Sequence, residues 1–168
     1  DGAVQAVDIK SGSVRWTRQV GDSSKAFADV DTQALLQNKG ETVVVASYNA
    51  GVFGINANTG RIQWQNKAHL AISAWTAYRN GQRIVASNGE GQIIGFSAQA
   101  KKAAWVYQIK SGVGGQPTKL ADNWIGVSAS KGATVVLDRL TGAPQQLFNP
   151  GTGSSVPVAS RGQDLILL

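Results

Sequence analysis

Short runs of apolar and β-branched residues alternate with turn residues along the whole chain. The clearest stretch has such runs at residues 32–37, 42–48, 52–56 and 61–65. They are separated by Asn38-Lys39-Gly40-Glu41, Asn49-Ala50-Gly51 and Asn58-Thr59-Gly60. Runs of this length, rich in Val, Ile, Thr and aromatics and punctuated by Gly and Asn, predict strands rather than helices. Four in succession with tight turns predict an antiparallel unit, and Gly51 stands where a tight turn needs a positive φ. The order returns at 74–78, 83–87, 92–96 and 103–108, and again at 117–121, 124–129, 134–137 and 145–148. The chain opens on two further strands, 3–7 and 14–18, and closes on two more, 156–160 and 164–168.

A second pattern overlies the first: Asp or Asn, two residues, Ser/Thr-Gly, three residues, Trp. It stands as Asp8, Ser11-Gly12 and Trp16, and returns as Asn56, Thr59-Gly60 and Trp64. A decayed copy has Ser97 and Trp105 with Lys101 in the glycine slot. A fourth has Asp138 and Thr141-Gly142, with Phe148 near the tryptophan position. The anchors Asp8, Asn56, Ser97 and Asp138 stand 48, 41 and 41 residues apart. A period of about 40–45 residues built from four short strands is that of a β-propeller. The expected fold is therefore all-β, a single propeller arc over 1–168. Three whole blades, about 32–65, 73–108 and 116–148, lie between half-blades at 1–20 and 155–168. The chain begins without Met and in mid-repeat, which reads as a piece of a longer protein. The open strands at its two ends call for partners, either each other or the edges of a second copy.

The turn has a simple physical basis. The Asp or Asn side chain accepts backbone N–H bonds across it, and Gly takes the left-handed conformation that a Cβ disfavours. A Trp on the outer strand can then bury its ring against the neighbouring blade. Asp8, Asn56, Asp138, Gly12, Gly60, Gly142, Trp16, Trp64 and Trp105 are accordingly structural residues. The copy lacking Gly should form a looser turn.

Composition narrows the chemistry. Hydrophobic residues make up 42% and charged residues 15%, which supports a packed core. No apolar run approaches the ~20 residues of a membrane helix. Cysteine is absent, which excludes disulfides, thiolate metal sites and a Cys nucleophile. The net charge of +6 is scattered, with only Lys101-Lys102 adjacent, so it reads as a solvated basic surface rather than a nucleic-acid interface. His69 is the only histidine and falls in a connecting loop, where a surface position is expected. Gly112-Val113-Gly114-Gly115 lacks the Lys-Ser/Thr of a phosphate loop and reads as a flexible linker. Trp75 and Trp124 are expected in the core. Exposed, they would instead suggest a carbohydrate-binding propeller.

One segment breaks the period. About seven extra residues lie between Trp16 and the next blade, within residues 21–32. Extra residues in one repeat map to loops, often on a binding face. Asp29 and Asp31 flank Val30 there, so both are expected on one side. Such a pair suits a Ca²⁺ ion, an acid/base pair, or Arg and Lys of a partner. Calcium would want more ligands, and an acid/base pair would want a cleft with sugar-binding aromatics. A partner contact, or capping of the loop itself, needs least.

The Trp-terminated repeat resembles that of quinoprotein-type propellers. The stretch Asp29-Val30-Asp31-Thr32, leading into Gln33-Ala34-Leu35-Leu36 and then Val43 through Gly51, is similar to the BamB family of outer-membrane assembly lipoproteins of Gram-negative bacteria. The resemblance covers essentially the whole chain and places it as the C-terminal half of an eight-bladed ring. It implies a non-enzymatic scaffold without cofactor or metal, on the periplasmic face of the outer membrane. The membrane link would be an N-terminal lipid outside these residues. The implied partner is the barrel-forming subunit BamA, through its periplasmic POTRA domains, with unfolded outer-membrane proteins as a further class. The family's contact loop matches Asp29 and Asp31, with Thr32 beside them. A second contact loop, carrying Leu and Arg, would precede residue 1. The alternative is an arc of a quinone-dependent dehydrogenase propeller, although the further acidic and aromatic site residues usual in such enzymes are not found in this sequence.

Overall fold

The computed structural model describes residues 2–121, 123–162 and 164–167. Strands β1 (Ala3–Val7) and β2 (Val14–Gln19) form an antiparallel half-blade. Three four-stranded antiparallel sheets follow. The first is β3 (Leu35–Gln37), β4 (Thr42–Ser47), β5 (Gly51–Asn56) and β6 (Ile62–Asn66). The second is β7 (Ile72–Tyr78), β8 (Arg83–Asn88), β9 (Gln92–Ser97) and β10 (Trp105–Gln108). The third is β11 (Thr118–Lys119), β12 (Trp124–Val127), β13 (Thr134–Asp138) and β14 (Pro144–Phe148). A closing pair is β15 (Ala159–Arg161) and β16 (Asp164–Ile166). Each sheet pairs its strands in chain order, the meander of a propeller blade. Among the described residues the only helical element is a single 3₁₀ turn, Asn38–Gly40.

The core lies between blades, not within them. The middle strands are buried on both faces, which is why they read as continuous Val/Ile runs. One face of the first whole blade sends Val45, Phe53 and Ile55 against Val4, Trp16 and Val20 of the half-blade. Its other face sends Val44, Ala46 and Val52 against Ile72, Trp75, Ile84 and Phe96. The next layer joins Val85 and Ile93 to Ile125, Val127, Val135 and Leu137.

The expected inner strands are shorter than their apolar runs. The one at 32–37 pairs only over Leu35–Gln37, because the Thr32 hydroxyl takes the Ala46 N–H that a ladder partner would otherwise bind. That at 117–121 pairs only over Thr118–Lys119, and Pro117 has no N–H to give. The pair expected at 156–160 and 164–168 forms over Ala159–Arg161 and Asp164–Ile166, and Leu168 lies outside the described residues. Gly112–Gly115 is no flexible linker. Gly114 bridges to Ala129, and a Cβ on Gly115 would stand 2.6 Å from the Ser155 carbonyl. Among the described residues the two half-blades are separate two-stranded sheets, the arrangement of an open arc rather than a closed four-blade ring.

Candidate functional site

Two kinds of loop matter: the repeated turns that lock blades together and the one long insertion.

In the repeated turn, Asp8 Oδ1 accepts the N–H groups of Lys10 and Ser11, each at 3.0 Å. Asn56 and Asp138 repeat this with Asn58 and Thr59, and with Leu140 and Thr141. Glycine closes each copy with φ of +71°, +68° and +72° at Gly12, Gly60 and Gly142. Its N–H reaches back to the carbonyl of the Asp or Asn. Each intact turn also closes a hairpin with a one-residue register shift, which leaves Arg15, Gln63 or Gln145 extra in the strand after it, and the pairing at the decayed copy shows none. The carboxylates are committed to this role. The Ser11 N–H, then the Arg15 guanidinium and the Lys10 N–H, hold Asp8 down to about 2, and the Thr141 N–H likewise lowers Asp138.

The tryptophans latch onto these turns from the preceding blade. Trp16 Nε1–H donates to the Ala57 carbonyl at 2.9 Å, with its ring 2.7 Å from where a Gly60 Cβ would be. Trp105 Nε1–H donates to the Arg139 carbonyl at 3.2 Å. Its ring is sandwiched between Gly142 and Gly95, and a Cβ on either would overlap it. Trp64 lies on Gly54 of its own sheet in the same way.

At the decayed turn the latch is polar. The Asn66 amide donates to the carbonyls of Ala98 and Ala100, at 3.2 and 2.9 Å. His69 Nε2 meets the Ala100 carbonyl at 3.0 Å, and its ring stacks on Phe96 with centroids 4.2 Å apart. His69 is therefore only 7% exposed, not the surface residue its loop position suggested. Burial lowers its basicity. Trp75 is core as expected, with Nε1–H donating to the Gln33 carbonyl. Trp124 is not: it is 37% exposed and lines a cleft of about 330 Å³ between the last whole blade and the closing strand pair.

The insertion is a pinned loop. The Asn49 amide donates to the carbonyls of Asp22 and Ala26, each at 3.1 Å, and its oxygen accepts the Asp22 N–H. Tyr48 N–H donates to the Asp29 carbonyl at 3.1 Å, and Ser47 Oγ to that of Ala28 at 3.3 Å. Val30 turns inward against the first inter-blade cluster, while Asp29 and Asp31 are exposed on either side of it. Thr32, grouped with them as a contact residue, is 8% exposed with its hydroxyl committed to Ala46. It holds the loop rather than presenting a surface. The neighbouring Asp22 is occupied by Ser24 and Lys25, which lower its pKa.

The model of the outer membrane protein assembly factor BamB family matches residues 1–144 and 54–167. The chain belongs to the BamB family. It is 27% identical over 107 residues to the outer membrane protein assembly factor BamB of Pseudomonas aeruginosa, a match covering 62% of this chain and 27% of that protein. It is also 28% identical over 86 residues to the quinoprotein alcohol dehydrogenase PedE of Pseudomonas putida, covering 49% and 14%. The crystal structure of BamB from Moraxella catarrhalis superposes with a TM-score of 0.71 at 19% identity, covering 98% of this chain and 48% of that one. The fold is thus a propeller arc, and the chain spans about half of that solved BamB chain. Within this BamB-family arc, sequence reasoning found the turn anchors, and Asp29 and Asp31 of the insertion are exposed. It missed Gly54, Gly95, Asn66 and His69. The signal for the last two was the missing glycine at Lys101, which demanded a substitute latch.

Proposed function

We propose that this chain is part of a non-enzymatic scaffold that binds the periplasmic domains of BamA, at the periplasmic face of the outer membrane, and so aids insertion of barrel proteins. The observation that carries it is the insertion loop. Asp29 and Asp31 are exposed on a segment held by five hydrogen bonds with Ser47, Tyr48 and Asn49, four donated by those residues and one accepted by Asn49 Oδ1, in a family whose members are named for outer-membrane assembly. In a chain of net charge +6, two fixed carboxylates form a local acidic spot suited to Arg or Lys. The test is binding of BamA periplasmic domains to Asp29→Ala/Asp31→Ala. Affinity should fall by roughly tenfold or more, with the thermal midpoint unchanged. Normal binding, or binding lost only through unfolding, would remove the contact role.

The dehydrogenase likeness supports a second reading. A quinone with Ca²⁺ needs clustered oxygen donors. Among the described residues no three of His, Cys, Asp and Glu come together. The residues present do not fit that group, and an absorbance titration with pyrroloquinoline quinone is expected to detect no binding.

A further inference from the structure

Two residues before the acidic pair stands a residue that the scaffold reading leaves unused. Phe27 is 72% exposed, the largest exposure of any aromatic among the described residues. Its backbone is left-handed, φ +59°, a conformation that a bulky residue holds only when its surroundings impose it. The surroundings do: the carbonyls on either side of it, Ala26 and Ala28, are held by Asn49 and Ser47. One edge of the ring rests on Tyr48, with centroids 5.7 Å apart and planes tilted by 51°. Tyr48 in turn lies across the backbone of the next blade, where its hydroxyl fills the space of a Gly89 Cβ. A rigid ring is thus held out in water by a strained backbone, with exposed carboxylates two and four residues on.

Resting on the proposed BamA contact, we propose that Phe27 is the apolar anchor of that interface. It enters an apolar recess on a folded partner, and Asp29 and Asp31 meet Arg or Lys at the rim of that recess. Binding energy concentrates in such central, preorganised aromatic anchors, while rim charges set the approach. An anionic membrane surface is the wrong occupant, because an interfacial aromatic there is flanked by free basic residues, whereas Phe27 has Asp29 and Asp31 on one side and on the other Lys25, whose ammonium is paired with Asp22 at 3.2 Å. Preorganisation also suits a folded recess better than an unfolded chain, since the ordering cost has been met before binding.

The test measures rates of BamA periplasmic-domain binding to the full chain carrying Phe27→Ala, Phe27→Leu, Phe27→Gly or Asp29→Asn/Asp31→Asn. Phe27→Ala should raise the dissociation rate roughly 30-fold with little change in association. Phe27→Leu should retain most of the affinity. The aspartate pair should slow association and flatten its salt dependence. Phe27→Gly separates binding from folding, because it frees the left-handed backbone: its thermal midpoint should stay level or rise while binding is lost. Unchanged binding by Phe27→Ala, with loss in the aspartate variant, overturns the anchor and leaves the scaffold reading standing. Unchanged binding by both overturns both. A midpoint lowered by several degrees in Phe27→Gly, or Phe27-dependent binding to phosphatidylglycerol vesicles in place of BamA, also overturns the anchor.

Discussion

Replacing Gly142 with Ala tests the inter-blade latch, because two separate costs can be pulled apart. The first is conformational. At φ +72° an added Cβ costs about 1–2 kcal/mol. The second is steric: that Cβ would lie 2.5 Å from Trp105 Cδ2, so the indole must leave its slot. Losing the buried Trp105 ring altogether costs about 3–5 kcal/mol, which bounds this part. Gly142→Ala should therefore destabilise by about 3–6 kcal/mol. Gly12 is the control, with φ +71° and nothing within 4 Å of its added Cβ. Gly12→Ala should show the conformational cost alone, about 1–2 kcal/mol. At about 2–4 °C per kcal/mol for a domain of this size, the midpoints should fall by about 2–8 °C for Gly12→Ala and about 6–24 °C for Gly142→Ala. Urea unfolding followed by far-ultraviolet circular dichroism supplies the free energies. In a Trp105→Ala background the ring is gone, and Gly142→Ala should cost only about 1–2 kcal/mol. Equal costs for Gly12→Ala and Gly142→Ala, or no coupling between Gly142 and Trp105, would refute the latch.

His69→Ala should cost about 1–3 kcal/mol through the lost Phe96 stack and the loss of one of the two hydrogen bonds at the Ala100 carbonyl, which Asn66 still holds, read by urea unfolding. Because burial holds its folded pKa below 6.5, the unfolded chain binds the extra proton. Its contribution is present above about pH 6.5 and declines as pH falls toward the folded value, so His69→Gln should flatten the midpoint between pH 7.5 and 5.5. The open edges of β1 and β16 should pair between two copies of the isolated 168-residue chain, and light scattering that gives a monomer across the micromolar range would oppose this.

The blade pattern was legible because each middle strand is buried on both faces, which leaves runs such as Thr42-Val43-Val44-Val45-Ala46 in the sequence. The turns were legible because Asp-x-x-Thr-Gly states its own hydrogen bonds. Inner strands were overcalled, since apolar composition at 32–37 says nothing of whether Thr32 spends its hydroxyl on a neighbouring N–H. Trp124 was misplaced because a β-propensity run does not say whether a further blade covers its sheet. The half-blade beside it leaves a cleft, and the ring stands at that edge.

The substitute latch explains the limit more generally. A glycine lost at Lys101 is visible in the sequence, but its compensation lies about 30 residues upstream on another blade, in Asn66 and His69. Neither residue carries a motif: Asn66 ends strand β6 and His69 lies in the loop after it. The same holds at the insertion. The aspartates of Asp29-Val30-Asp31 announce themselves by alternation, whereas the bonds that pin their loop come from Asn49, which the sequence marks only as a turn residue. Local chemistry is written locally in a propeller. What fixes its geometry is written one blade away, and the 41-residue period is the distance over which a single sequence stops being readable without the fold.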